Sequence, residues 1–413
     1  MSKLEILKPS YKILKDRGSQ MCKMFFKNHC KIIKLNSCLI FMIIFMLLNV
    51  GNVSVARLRA QMLSDTSQQL HYVYQKGEDG YACFRIPALV RTVKGTLLAF
   101  AEARKNNCSD NGNIDLVVKR SEDSGKSWGH LQVVWNDEDN TCGNPAPVVD
   151  RRTGEIILLM THNIGSDKEK EISQHTSKNT RRVFVTRSAD DGRHWTLPQD
   201  ITTVVKLAGW TWYATGPCHG IQLKEGKYAG RLIVPCDHVK SDTSYSHIIY
   251  SDDDGTTWHL GGSAPQGKLN ECTVAEIGNG NILLNMRNYN RRFKCRMQSV
   301  STDGGITWGP VFPASQLKEP VCQGSMLSFR IKRKSYLFFA NPADTLKRQN
   351  MTIYVSDNKG KSWRMLYQVY RGPSAYSDLT SLSQDKIAIL FEAGKETPYE
   401  GIAFEVVSVK HLF

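Results

Sequence analysis

The chain has 413 residues, 41% hydrophobic and 23% charged, so it can bury a sizeable core in two average domains or in one large β architecture. Its formal charge is +15, and residues 1–34 supply +7 of this through nine Lys/Arg against two Asp/Glu. The roughly +8 that remains suits an anionic partner through electrostatic steering, and the lack of any basic run interleaved with aromatics beyond Lys34 excludes a nucleic-acid binder.

The nine basic residues precede an apolar run from Cys38 to Leu48, and Ser54-Val55-Ala56 offers small residues suited to cleavage. No charge falls between Lys34 and Arg57. That length lies between a signal-peptide core and a single membrane span. Residues 1–34 therefore read as a basic lead, 35–56 as a signal peptide or a membrane anchor, and 57–69 as a linker to a body at 70–413. Either route sends the body into the secretory pathway, to the lysosome, the cell membrane or the outside. Eight of the eleven cysteines follow Ala56, and in an oxidising compartment one or two bridges and several buried thiols are expected. No C-x-x-C pair or Cys/His cluster has zinc spacing, so neither a metal nor a cofactor is expected. Asn52, Asn107 and Asn350 are N-x-S/T glycan acceptors.

The body opens with Phe84-Arg85-Ile86-Pro87. Pro87 fixes its own φ and is expected to push Ile86 into an extended conformation, placing Arg85 at the start of a strand with its guanidinium held in one direction. From there the chain reads as short strands rich in Val, Ile, Leu, Phe and Tyr, bounded by Gly, Asn and Asp. Candidates are 95–103, 114–120, 155–160, 182–186, 231–235, 247–250, 281–286, 336–340, 351–355, 386–391 and 402–409. Only 167–178 and 315–318 tolerate a helix, and both also suit loops.

One octapeptide recurs: SEDSGKSW at 121, SADDGRHW at 188, SDDDGTTW at 251, STDGGITW at 301 and SDNKGKSW at 356. In the pattern S-x-D-x-G-x-x-W the Asp, or Asn358 in the fifth copy, bonds backbone N–H groups of its own turn. The Gly takes a positive φ and the Trp packs beneath the loop. Four intervals separate the first copy from the fifth, about 59 residues each, the length of a four-stranded antiparallel blade with its loops. The span 70–413 then holds about six units, the last without the octapeptide, which predicts an all-β, six-bladed β-propeller. The aspartates of the octapeptides are read as elements of the fold, not of a catalytic site.

F-R-I-P followed by several such boxes (aspartic boxes) resembles the sialidase (neuraminidase) superfamily, and the likeness covers nearly all of 70–413. The AFAEAR and GPSAYS segments are similar to the exo-sialidases of animals, the lysosomal type, and to their bacterial relatives. The resemblance implies a propeller whose central mouth binds a sialic acid, with the substrate carboxylate held by three arginines: Arg85, Arg287 in LLNMRN and Arg348 in NPADTLKRQNMT. Guanidinium suits that task because it stays charged and grips a carboxylate in bidentate fashion. It also implies a nucleophile at Tyr376 in GPSAYSDL partnered by Glu271 in LNECTVAE, with Glu276 as the rival base. A neutral phenol suits an anomeric carbon that carries a carboxylate, because an Asp or Glu nucleophile would approach against like charge.

The acid/base is expected at Asp110 in NNCSDNGN, with Asp115 as its rival on a strand. Arg104 would contact a ring hydroxyl, and Glu392 in LFEAG would hold the Arg85 guanidinium. Trp210, Trp212 and Tyr213 in AGWTWYATGP either line the pocket or pack in the core. Two features depart from the pattern: Cys218 stands in GPCHG where relatives tend to show glycine, and the Asn107 acceptor lies three residues from Asp110. The implied function is a retaining exo-α-sialidase acting on sialylated glycoproteins, oligosaccharides or gangliosides, with a protective protein partner possible as in some lysosomal relatives. A trans-sialidase would share every catalytic residue, and a non-catalytic propeller would carry the boxes without the arginine, Tyr and Glu set.

Overall fold

The structure is a computed structural model that describes residues 69–410. The basic lead, the apolar segment 35–56, nearly all of the linker and the Asn52 acceptor lie outside the described residues. Leu70 opens a compact all-β unit. Among the described residues no helix is long and apolar enough to cross a membrane.

The unit is a succession of antiparallel meanders. The first joins β2 (Cys83–Arg91), β3 (Leu97–Arg104), β4 (Ile114–Ser121) and β5 (Gln132–Trp135). The second joins β6 (Thr141–Val149), β7 (Ile156–Asn163), β8 (Arg182–Ser188) and β9 (Gln199–Asp200), and a parallel bridge from Ile114 to Thr141 links it to the first. The third runs β10 (Trp210–Thr215), β12 (Leu232–Lys240), β13 (Thr243–Ser251) and β14 (His259–Ser263), with β11 (Ile221–Gln222) beside β12. The fourth is β15 (Leu269–Glu276), β16 (Ile282–Asn288), β17 (Cys295–Ser301) and β18 (Phe312–Lys318). The final sheet starts with β19 (Ser325–Ile331), β20 (Lys334–Pro342) and β21 (Gln349–Ser356). The 20-residue β22 (Arg364–Ser383) then pairs first with β21 and afterwards with β23 (Lys386–Ala393), which is followed by β24 (Gly401–Ser408). The first strand of the unit, β1 (Tyr72–Gln75), closes that sheet by pairing with β24.

Apolar side chains fill the spaces between consecutive meanders. Val148, Leu159 and Val185 of the second meet Trp210, Val234 and Ile249 of the third, and Leu89, Ala99 and Val117 of the first meet Leu390, Ile402 and Phe404 of the last. Each fully buried aliphatic or aromatic side chain contributes about 1.5–3 kcal/mol. The octapeptide loops add a second contact between neighbours. In the third copy Ser251 Oγ donates to Asp253 Oδ1, which also accepts from the Thr257 N–H at 2.8 Å, while Ser251 Oγ accepts from the Gly255 N–H. A Cβ at the loop glycine would strike the meander before it: Gly192 meets Leu98, Gly255 meets Ile157, Gly305 meets Ile248 and Gly360 meets Leu283. In the first copy Gly125 lies against Phe404 of the last sheet.

Of the two helix-tolerant segments, one is corrected and one is helical in part. Residues 315–318 form the end of β18, not a helix; Ala314 and Leu317 point inward while their neighbours face solvent. In 167–178 only Glu169–Ser173 is helical (α1), its start closed by Glu171 accepting the Lys168 N–H at 2.9 Å. A second short helix, α2 (Thr202–Val205), precedes β10.

Candidate active site

Ile86 is not extended. Its φ is +59°, and the β2–β3 register shifts between Arg85 and Ala88, so the segment is a bulge. Proline disfavours a right-handed helix in the residue before it but does not by itself force a strand, and a bulge re-aims the side chain beside it. A β-branched residue at positive φ costs of order 1–3 kcal/mol. The Ile86 N–H donates to Glu392 Oε1 at 2.9 Å, which holds the turn. The same carboxylate takes Arg85 Nε at 3.0 Å and Nη2 at 3.2 Å, and its Oε2 accepts the Tyr376 N–H at 3.1 Å. Glu392, wholly buried in β23, therefore orients Arg85 and the Tyr376 backbone together.

Arg85, Arg287 and Arg348 come from β2, β16 and the segment before β21, and they converge on Tyr376 of β22. The Arg85 guanidinium carbon lies 5.1 Å from the Tyr376 ring centre and that of Arg348 lies 5.6 Å from it. Arg287 Nη1 donates to the Tyr376 hydroxyl oxygen at 3.0 Å and also pairs with Glu271. Tyr376 in turn donates to Glu271 Oε1 at 2.6 Å. Burial first, and the Glu271 charge second, push the Tyr376 hydroxyl well above its ordinary range against the pull of Arg287, Arg348 and Arg85. The phenol is neutral here, with a carboxylate ready for its proton. Glu276 lies at the other end of β15, where its carboxylate accepts the N–H groups of Lys224 and Glu225.

Asp110 stands at the pocket mouth with its side chain 67% exposed, bonded to Arg85 at 3.1 Å and to Arg104 at 2.8 Å. Desolvation at the mouth works upward on its carboxyl, but Arg104 and then Arg85 outweigh it and hold the group below its ordinary value. Its loop is tied down by a disulfide between Cys83, two residues before Arg85, and Cys108, two residues before Asp110. Cys142, Cys218, Cys236, Cys272, Cys295 and Cys322 are buried thiols. Asp115 is buried and engaged by the Tyr81 hydroxyl and Asn136. Arg104 is fixed by Glu102 at 2.6 Å on one side and by Asp110 on the other.

Of the three aromatics in β10, Trp212 lines the pocket, stacked 4.1 Å from Arg181. Trp210 and Tyr213 do not line it. Trp210 lies flat on His238, and Tyr213, fully buried, bonds His247 through its hydroxyl at 2.9 Å. The register slips between Trp210 and Tyr213, so the alternation of an ideal strand does not predict which ring faces in.

The pocket also takes in Asn144, Glu169, Arg181, Asp237, Asn270 and Tyr289, none of which sequence reasoning named. Asp237 carries one detectable signal, a carboxylate inside the apolar run LIVPCDHV of β12. Burial, then Glu271 and Glu169, push its carboxyl well up, and Oδ1 has no hydrogen-bond partner. Glu169, from α1, is likewise raised by burial and by Glu271. The pocket as a whole can clamp a carboxylate on fixed guanidinium groups beside a neutral nucleophile–base pair, with a second carboxylate at its mouth.

Residues 95–389 match the model of a BNR repeat-like domain. The chain is 30% identical to a sialidase of Bacteroides fragilis over 82% of its own length, and spans 64% of that relative. It is 30% identical to mouse sialidase-3, covering 80% of this chain and 92% of the other. The solved Hadza microbial sialidase Hz136 superposes with a TM-score of 0.75 at 30% identity, covering 83% of this chain and 69% of that one.

Proposed function

The chain belongs to the sialidase family, and on that footing we propose that it is an exo-α-sialidase that removes terminal sialic acids from glycoproteins, oligosaccharides or gangliosides with retention. The observation that carries this reading is the Tyr376–Glu271 hydrogen bond of 2.6 Å set among three arginines. Arg85, Arg287 and Arg348 grip the substrate carboxylate, fixing the anomeric carbon over the Tyr376 oxygen. As Tyr376 attacks, Glu271 takes the phenol proton, and Arg287 supports the charge that develops on the oxygen. Asp110 gives a proton to the leaving oxygen and the sialyl group is held on Tyr376; Asp110 then takes a proton from the attacking water, and the Tyr376 oxygen departs and recovers its proton from Glu271. Trp212 and Arg104 bound the ring, and Glu392 holds Arg85 in place.

We read the fold as a six-bladed propeller with five aspartic boxes. Each loop glycine touches the preceding meander and the first touches the last, as a closed ring requires. Delivery through the secretory pathway, to the lysosome, the cell membrane or the outside, is supported by the basic lead, the apolar segment and the Cys83–Cys108 bridge, which suits an oxidising compartment.

The reading is tested with an aryl sialoside. Tyr376→Phe is expected to lose at least about 1000-fold in kcat with an unchanged melting curve, and the first sugar released by the wild-type chain, followed by proton NMR, is expected to be the α-anomer. Turnover undiminished in the variant, or β-anomer released first, would refute the mechanism. A wild-type chain that binds sialosides without cleaving them would leave a glycan-binding propeller instead.

A further inference from the structure

The inner strands that carry the catalytic residues run on to a second cleft at their far ends. Arg91 ends the strand of Arg85, Glu276 ends that of Glu271, and Ser381 lies on the strand of Tyr376. Five or six residues at about 3.3 Å each put this cleft roughly 17–20 Å from the pocket, so the two are distinct.

His219 anchors the cleft. Its side chain is 10% exposed, Nδ1 bonds Asp378 Oδ1 at 2.7 Å, and Asp378 Oδ2 accepts the N–H groups of His219 and Leu89 at 2.9 Å each. With Nδ1 held inward, Nε2 is left toward the cleft that the ring lines, without a hydrogen bond among the described residues. Burial works against the imidazolium, but Asp378 outweighs it and raises the group above its ordinary value. Around it stand Arg91, Arg151 and Lys224, all exposed, none in a salt bridge among the described residues. Arg151 lies near enough to bear on the charge of both His219 and Lys224; partial loss of water around the Lys224 amine, then Arg151, pull it below its ordinary value against Glu276 and Glu225. The lone carboxylate lining the cleft, Glu276, is already engaged by two backbone N–H groups. Three exposed basic side chains and the Nε2 of His219 thus share one opening with Glu276 as the carboxylate that lines it, an arrangement that suits a bound anion.

We propose that this cleft is a second binding site, for a tetrahedral oxyanion (phosphate or sulfate, free or carried as an ester on a sugar), held by Arg91, Arg151, Lys224 and the Nε2–H of His219. Arginine offers forked donors that match such oxygens, and Lys224 adds a point charge. Ser328 and Ser381 bring hydroxyls to the same lining, suited to a sugar that carries the ester.

The test is equilibrium binding to the full chain of inorganic phosphate, glucose 6-phosphate and glucose 6-sulfate. The wild type is expected to bind at least one of them, with phosphate alone marking a free ion and tighter binding of a sugar marking an ester. The Arg151→Ala/Lys224→Ala chain should lose at least tenfold in that affinity while turning over an aryl sialoside as before, and Arg91→Ala should weaken it in the same sense. Arg348→Ala, which disables the catalytic pocket, should leave the affinity unchanged. No binding at millimolar ligand, full affinity in the double variant, or loss in Arg348→Ala would each overturn the proposal.

Discussion

Tyr376, Glu271 and Asp110 divide one proton problem between two environments. Tyr376 is buried and neutral beside its base, while Asp110 is exposed and held ionised by Arg104 and Arg85. A general acid must enter the reaction protonated, so an Asp110 depressed by Arg104 and Arg85 is unsuited to it while both arginines face it. A substrate carboxylate that takes over Arg85 removes part of the pull on Asp110 and adds a like charge, and both effects raise its pKa. The sign then follows. The basic limb of kcat/KM reports the free protein and falls at lower pH, and the basic limb of kcat reports the complex and falls at higher pH. Paired profiles with sialyllactose, whose leaving group needs the acid, are expected to show this separation. Coincident limbs, or the reverse order, would remove Asp110 from the role.

At the scale of elements, the octapeptide loops act as staples between meanders. Gly360 has φ +80°, and a Cβ there would come within 2.4 Å of Leu283. Gly360→Ala is therefore expected to cost about 2 kcal/mol through backbone strain and overpacking, read in urea unfolding, with kcat unchanged because the loop is remote from the pocket. The Cys83–Cys108 bridge does a different job. It closes a segment of sequence separation 25 that carries the Asp110 loop, worth about 3 kcal/mol by chain entropy. Cys83→Ser/Cys108→Ser is expected to lower the unfolding free energy by that amount and to lower kcat/KM for sialyllactose. An unchanged urea midpoint would mean that the contact between Arg104 and the Cys108 carbonyl suffices to hold the loop.

For the whole molecule, charge and closure matter most. With about +8 of the formal +15 outside residues 1–34, capture of an anionic sialoside is expected to be electrostatically assisted, so kcat/KM should fall as ionic strength rises while kcat stays nearly constant. Stopped-time assays from about 20 to about 500 mM salt, over which the Debye length shrinks from roughly 20 Å to roughly 4 Å, would read this. A flat kcat/KM would show that the positive charge lies away from the approach path. Closure rests on β1, the first strand of the unit, which pairs with β24, the last.

The middle strands, β17 apart, were legible in the sequence because their residues are apolar and bounded by turns, and the octapeptide revealed the repeat because its turn chemistry is local. The strands that escaped were β17, most of the inner strands, and the outer ones, which are short (β5, β9, β14) or largely exposed (β18). β6 (TCGNPAPVV), β10, β15 (LNECTVAE) and the second half of β22 carry prolines, small residues or polar groups, because one face serves the pocket and the backbone approaches its neighbours closely. Arg85, Glu271, Arg287, Arg348 and Tyr376 were found through motifs, and the structure brings them to one pocket. Local sequence determined the turns, the repeat and the types of residue that this chemistry needs. Only the tertiary structure decided that Ile86 forms a bulge, that Trp212 rather than Trp210 or Tyr213 faces the pocket, and that Arg181, Glu169 and Asp237 join it. Those outcomes depend on register and on contacts between residues far apart in the chain, which no local pattern encodes.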